Sequence, residues 1–322
     1  MDALIRDYLS SLRLGAPQQF KNMTAVPLFS SLNHGPEYLT LQEAMDKDLV
    51  SVAEVSLGGS VPQLKVINRS ELPVLLVDGE ELVGAKQNRV LNTSILLVEK
   101  SETIIPVSCT EHGRWSYTSP KFNYAAHIVG YKLRKMNSTA VGAQLKTEAE
   151  AQGQSARQKR PQAHHSYSSD QTAVWQSIDQ AMLGAKVESP SHALNDVFAA
   201  KAAELEAYLN AFPWLPDQKG MLVCINGEVA GLDLISFERA YKVLHPTLVK
   251  SFAIGVLIEN METAAPPSMD KASGFLHEAM QCSENRYPSI GYGTDHRLRS
   301  QKIAGSALVA RDRVIHVTLF RN

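Results

Sequence analysis

Short runs of aliphatic and β-branched residues, broken at intervals by glycine, asparagine or aspartate, fill most of residues 25–115. The runs 50–56, 63–68, 73–77, 95–98 and 103–107 read as strands, with Gly58-Gly59, Asn68, Asp78-Gly79 and Asn92 as the turns between them. Thr40-Leu41-Gln42-Glu43 has the spacing of a capping box and predicts a short helix to about Lys47. Strands this short and this closely spaced predict a β-sandwich or barrel-like unit.

The period changes after Asp170. Val174, Trp175, Ile178 and Met182 recur at helical spacing, which predicts a helix over 171–182. A second helix is expected over 193–212, stopped by Pro213 and Pro216. Asn226-Gly227 separates the apolar runs 220–225 and 228–235, the strongest short hairpin signal in the chain, because both residues accept positive φ. Helices are expected over 237–259 and 269–282, and a last hairpin over 303–310 and 313–320 turns at Arg311-Asp312. The fold class is therefore α+β, with a β-rich sandwich or barrel-like N-terminal half and an α+β C-terminal half.

Between 132 and 160 Gln, Ala, Ser, Lys and Arg dominate, and Lys132, Arg134, Lys135, Lys146, Arg157, Lys159 and Arg160 face only Glu148 and Glu150. This reads as a solvated, basic connector, with a phosphate-touching arm as the alternative. His164-His165-Ser166-Tyr167 reads as more of the same flexible stretch. The expected organisation is an amphipathic helix over 1–19, a β-rich domain over 20–136, a polar basic connector over 137–169 and an α+β domain over 170–322.

Composition narrows the classes. The chain has 322 residues, 44% of them hydrophobic, and its 32 basic and 33 acidic residues leave a net charge of -1. No overall attraction to nucleic acid or to an acidic membrane follows, apart from contact by the basic segment 132–160. Charges interrupt the apolar N-terminus, and no run is long enough to span a membrane. The odd, scattered cysteines Cys109, Cys224 and Cys282 point to reduced thiols in the cytoplasm.

Two constellations carry the chemistry. In the first, Asp78, Glu80 and Glu81 lie near Lys86, Gln87, Asn88 and Arg89; clustered carboxylates serve as acid, base or cation ligand, and the cations as an anion clamp. In the second, Cys109 ends an apolar strand and Glu111, His112, Arg114 and Trp115 follow. A thiol next to an imidazole and a guanidinium is the set a cysteine nucleophile needs. Cys109 and His112 are also two of the ligands a zinc needs, but no second pair is evident, and no metal or cofactor is assigned. Gly291-Tyr292-Gly293-Thr294-Asp295-His296-Arg297-Leu298-Arg299 reads as a polar loop before the last hairpin, with an anion cradle as the alternative. Asp233 and His316, in strand-like surroundings, read as hydrogen-bonded core residues.

The block from Leu76 to Asn92, with Ile105-Pro106-Val107-Ser108-Cys109 running into Gly113-Arg114-Trp115, resembles a bacterial and archaeal family, the ARG-and-rhodanese-phosphatase-superfamily-associated protein domain. Looser similarity extends through 171–175, 231–233 and 305–308. The resemblance implies association with ADP-ribosylglycohydrolase-like and phosphatase-like proteins, hence nucleotide or ADP-ribose metabolism. It supplies no catalytic residue.

Three functions follow as expectations. The first is an accessory domain binding a small polar or phosphorylated ligand, with Glu80 and Glu81 on hydroxyls, Arg89 and Arg114 on anionic groups and Trp115 stacking. The second is a hydrolase or transferase using Glu80 or Glu81 as base, with Cys109 a less favoured nucleophile. The third is a protein–protein interaction module docking through 132–160.

Overall fold

The computed structural model describes all residues except 33–35, 57, 153–166 and 260–268. The chain opens with α1 (Ala3–Ser10), β1 (Arg13–Leu14), β2 (Gln18–Phe20), β3 (Met23–Phe29), β4 (Leu39–Thr40) and α2 (Leu41–Asp46). Next come β5 (Val50–Glu54), β6 (Gln63–Asn68), β7 (Val74–Leu76), β8 (Glu80–Gly84), β9 (Arg89–Leu91), β10 (Ile95–Leu97), β11 (Ser101–Cys109) and β12 (Phe122–Ile128). Helices α3 (Tyr131–Gln152), α4 (Gln171–Ala185), α5 (Leu194–Ala200) and α6 (Ala202–Ala211) lead into the hairpin β13 (Gln218–Ile225) and β14 (Glu228–Ile235). The chain ends with α7 (Glu238–Glu259), α8 (Met269–Ala279), β15 (Ser283–Pro288), β16 (Thr294–Arg299), β17 (Ile303–Ala310) and β18 (Arg313–Arg321).

The protein is α+β with a β-rich part, and its strands form three sheets. Six antiparallel strands in the order β12-β8-β9-β11-β6-β5 curl into a half-barrel, whose end strands β12 and β5 approach each other. Alternation fills its inside: Val50 and Val52, Leu64 and Val66, Ile105 and Val107, Leu82 and Leu91 share one buried apolar cluster. A three-stranded sheet, β10-β7-β4, closes the same cluster. The capping box is present as expected, with Glu43 N–H on Thr40 and Thr40 N–H on Glu43.

A nine-stranded sheet runs β1-β3-β13-β14-β18-β17-β16-β15, with β2 also on β3. Both faces are covered: Leu222 and Cys224 pack with α1 and α8, while Met221 and Val223 pack with α7. That double cover explains why 220–225 is a continuous apolar run. Strand β3 pairs with β13, so residues from the first part of the chain sit inside this sheet. Asn226 and Gly227 take φ values of 53° and 76°, as their hairpin requires. Helix α7 has the length and mean hydropathy (1.2) of a membrane span, yet its side chains from Ala240 to Val256 are largely packed inside the protein.

Four expectations are corrected. The amphipathic helix expected over 1–19 ends at Ser10, and β1 and β2 follow it within that range. The basic segment is no solvated connector where it is described: 131–152 is the helix α3, with Leu133, Arg134, Asn137, Ser138, Val141 and Leu145 buried. Three of its buried side chains, Arg134, Asn137 and Ser138, are polar and find partners far away in sequence, which blurs the apolar period; residues 153–166, His164 and His165 included, lie outside the described residues, and Tyr167, expected in the same flexible stretch, is buried. The supposed loop at 291–299 contains the strand β16, paired on both sides. The helix expected over 193–212 breaks at Lys201 into α5 and α6.

Candidate ligand-binding site

Register decides which candidate residues meet. Cys109 lies directly opposite Arg89, and Arg89 opposite Leu82, so these side chains share the inner face of the half-barrel. Glu54 pairs with Leu64 and Leu64 with Ile105, which carries the same face across to β5. Glu81, opposite Val90, stands on the other face. A period of two thus divides the expected cluster between the two sides of one sheet.

At one mouth of the half-barrel Arg89 is wholly buried. Its Nη1 donates to Gln87 Oε1 at 3.2 Å and to the Asn88 carbonyl at 3.3 Å. Nε and Nη2 have no hydrogen-bond partner among the described residues. The nearest anion is Glu54, with Oε1 4.0 Å from Nη2, an ion-pair distance too long for a hydrogen bond. Both Glu54 oxygens are buried and equally unpartnered. Burial pulls the Arg89 pKa down, opposed by Cys109 and Glu54.

Above this pair lies an aromatic rim. The Trp115 ring sits 5.7 Å from the Arg89 guanidinium carbon, and Lys86 Nζ is 5.2 Å from both the Trp115 and Tyr117 ring centres. Trp115 and Tyr117 are 48% and 47% exposed, so about half of each side chain meets solvent. Lys86 also donates to the Gly58 carbonyl at 2.7 Å.

Arg114 is placed differently from the expectation of an anion clamp. Its Nε donates to Glu111 Oε1 at 2.8 Å, Nη2 also pairs with Glu111, and Nη1 donates to the carbonyls of Ala85 and Ser116 at 2.7 and 2.8 Å. Nη2 reaches Asn88 Oδ1 as well, at 3.3 Å. All of these bonds go to the protein, so Arg114 fixes the 84–88 loop and the path to Trp115. Burial raises the Glu111 carboxyl, but Arg114 and the Asn88 N–H outweigh it and hold it below the usual range.

Cys109 and His112 do not form a dyad. The single Cys109 S–H is shared between the Glu111 carbonyl at 2.9 Å and Gln87 Oε1 at 3.1 Å, and Gln171 clamps the backbone N–H and carbonyl. Burial pushes the thiol pKa up despite the Arg89 charge. His112 is exposed and lies against Trp175, with ring centres 4.3 Å apart and planes tilted by 38°.

The remaining acids serve two further clusters. Glu81 pairs with His127 and accepts from Thr110, beyond the inner face. A bulge carrying Ala126 at φ 57° turns His127 inward, where it stacks on Phe198 at 3.8 Å. Asp78 belongs to a buried network: Arg134 donates to Asp78 and Asp233, and His316 lies 2.8 Å from Ser94 and 3.4 Å from Asp233. Glu80, on the inner face two residues beyond Leu82, accepts from Val77 N–H at 2.7 Å. The three-residue set with metal-ligand spacing among the described residues, Asp2, Glu284 and His296, is an ion-pair cluster with the Met1 amine and Arg286.

Of the sequence candidates, Lys86, Gln87, Arg89, Cys109 and Trp115 come together. Glu54, Gly59 and Tyr117 were not foreseen. A charge on the inward phase of Val50-x-Val52-x-Glu54 was the signal that marks Glu54.

Comparison with known proteins agrees with the resemblance read from the sequence. The family model of the ARG and Rhodanese-Phosphatase-superfamily-associated Protein domain matches residues 11–320. No curated protein and no solved structure matches. The match spans nearly the whole chain, and the protein belongs to this family.

Proposed function

We propose that the protein is a cytosolic accessory domain that binds a small phosphorylated ligand bearing a flat ring, of the nucleotide or ADP-ribose kind, at the mouth of the half-barrel. One observation carries the reading: the Nε–Nη2 edge of the buried Arg89 has no hydrogen-bond partner among the described residues. That edge presents two parallel donors at the spacing of two phosphate oxygens. Leaving such donors dry is costly, so a ligand that satisfies them gains more than it would at a solvated arginine. Trp115 and Tyr117 supply ring faces beside it and Lys86 a second positive charge, the mixture of apolar wall and few polar groups that small-molecule sites use. Entry requires the Trp115 ring to swing outward, which its loop position between β11 and β12 permits. The family's association with ADP-ribosylglycohydrolase-like and phosphatase-like proteins supports a phosphorylated ligand.

The test is titration calorimetry with inorganic phosphate, AMP and ADP-ribose. Arg89→Lys keeps the charge but loses the fork, and is expected to weaken all three by roughly 10- to 100-fold, the range for charge-assisted hydrogen bonds. Trp115→Ala is expected to weaken AMP and ADP-ribose while sparing phosphate. Absence of binding by all three to the wild-type chain at millimolar concentration defeats the proposal.

A further inference from the structure

We infer that Glu54 sets specificity in this site by accepting both hydroxyls of a vicinal diol, so that the ligand carries an intact ribose. The inference rests on the Arg89 reading above and adds the second half of the ligand.

Glu54 closes the β5 end of the half-barrel at 8% exposure, and both of its carboxylate oxygens are buried without a hydrogen-bond partner among the described residues. A carboxylate has about four acceptor positions, and none of them is used here. With Oε1 4.0 Å from Arg89 Nη2, the two side chains stand side by side as a buried ion pair without a hydrogen bond between them, and each keeps its hydrogen-bonding capacity unused. The molecule that satisfies both presents an anionic edge to Arg89 and two adjacent donors to Glu54.

Charge selects the donor. Arg89 and Lys86 already stand in the site, so an ammonium or guanidinium group on the ligand meets two like charges. Neutral hydroxyls carry no such penalty. Two hydroxyls on adjacent carbons match the spacing of the two oxygens of one carboxylate.

The backbone opposite comes close to all three side chains. Gly59 takes φ +76°, and a Cβ there would stand 3.4 Å from Glu54 Oε2, 3.3 Å from Trp115 Cζ2 and 3.1 Å from Lys86 Cδ. These distances are already tight, so a side chain at this position would press on the carboxylate, the indole and the lysine at once. Glycine lets Glu54, Trp115 and Lys86 converge on one point, so a diol on Glu54 lies within one short ligand of a ring on Trp115 and a phosphate on Arg89.

The experiment compares AMP with 2′-deoxy-AMP by calorimetry on the full chain, with inorganic phosphate as the reference, in wild type, Glu54→Gln and Glu54→Asp. The readout is the ratio of the two nucleotide dissociation constants within each protein, which cancels any general weakening of the site. Wild type is expected to prefer AMP by about tenfold or more, the loss for one hydrogen bond to a charged acceptor. Glu54→Gln is expected to bring the ratio to within about twofold, and Glu54→Asp, which keeps the carboxylate, to retain part of it; thermal melts check that both variants fold. Equal binding of the two nucleotides by wild type, or a preference that survives in Glu54→Gln, overturns the assignment. Phosphate bound without either nucleotide overturns it while leaving the Arg89 anion site standing, and no binding at all removes both.

Discussion

Arg134 and Asp233 meet through two parallel hydrogen bonds, Nη1 to Oδ2 at 2.9 Å and Nη2 to Oδ1 at 2.7 Å, in a part of the protein where both side chains are buried. The same guanidinium reaches Asp78 through Nε at 3.2 Å and Nη2 at 3.3 Å. One residue of α3 thereby joins the turn before β8 to the centre of β14, and so the half-barrel to the nine-stranded sheet. Burial opposes the Arg134 charge, but the two aspartates outweigh it and raise its pKa. Gly79 fits the same contact: it takes φ +85°, and a Cβ there would lie 2.7 Å from Arg134 Cγ.

Removing Arg134 strands two buried carboxylates. Arg134→Leu is expected to lower the unfolding free energy by roughly 3–5 kcal/mol, the cost of breaking one side of a buried ion network. Arg134→Lys recovers little, because one ammonium cannot serve two carboxylates bidentately. Urea denaturation measures both. A loss under about 1 kcal/mol in Arg134→Leu is incompatible with the bridge carrying the junction.

That junction also shows where the sequence was legible and where it was not. Strands and hairpins built on local rules could be read directly: Asn226-Gly227 needs only its own two φ values, and Thr40 with Glu43 only three intervening bonds. Helix α3 was misread because its buried positions include Arg134, Asn137 and Ser138, whose partners Asp233, Ser169 and Arg297 lie 99, 32 and 159 residues away. Nothing local distinguishes such an arginine from a solvated one. The candidate site was half legible for a related reason. Cys109 and Arg89 face each other by register, whereas Glu81 next to Glu80 necessarily points to the opposite side. Strand pairing has to be known before neighbours in sequence can be sorted by face.

Cys109 is expected to be inert while the protein is folded. Its thiol is buried, has its single S–H directed at two acceptors and has a pKa raised by burial, so little thiolate exists near neutrality. Iodoacetamide at pH 7.5 is expected to label Cys109 on the order of 10³-fold more slowly in native protein than in urea, following the rarity of core opening. Peptide mass spectrometry gives both rates. Rapid native labelling would restore the nucleophile that the geometry argues against.

Glu80 gives the stability a definite slope with pH. It is fully buried, and desolvation pushes its pKa from 4.5 up to about 8, more than the Val77 N–H can offset. Between those two values the folded protein keeps the Glu80 proton while the unfolded chain has released it, so the unfolded state binds fewer protons. The stabilising contribution is therefore complete below pH 4.5, declines as pH rises and is gone above about pH 8. Glu80→Gln keeps an oxygen for Val77 N–H and has no proton to lose. Its stability relative to wild type is expected to improve steadily from pH 5 to pH 8, by a few kcal/mol in all. Chemical denaturation of both proteins at each pH isolates the effect, since every other ionisable group is shared. A difference that stays flat across the range means that Glu80 has already lost its proton by pH 5 in the folded protein and titrates at or below its ordinary value, which sinks the prediction.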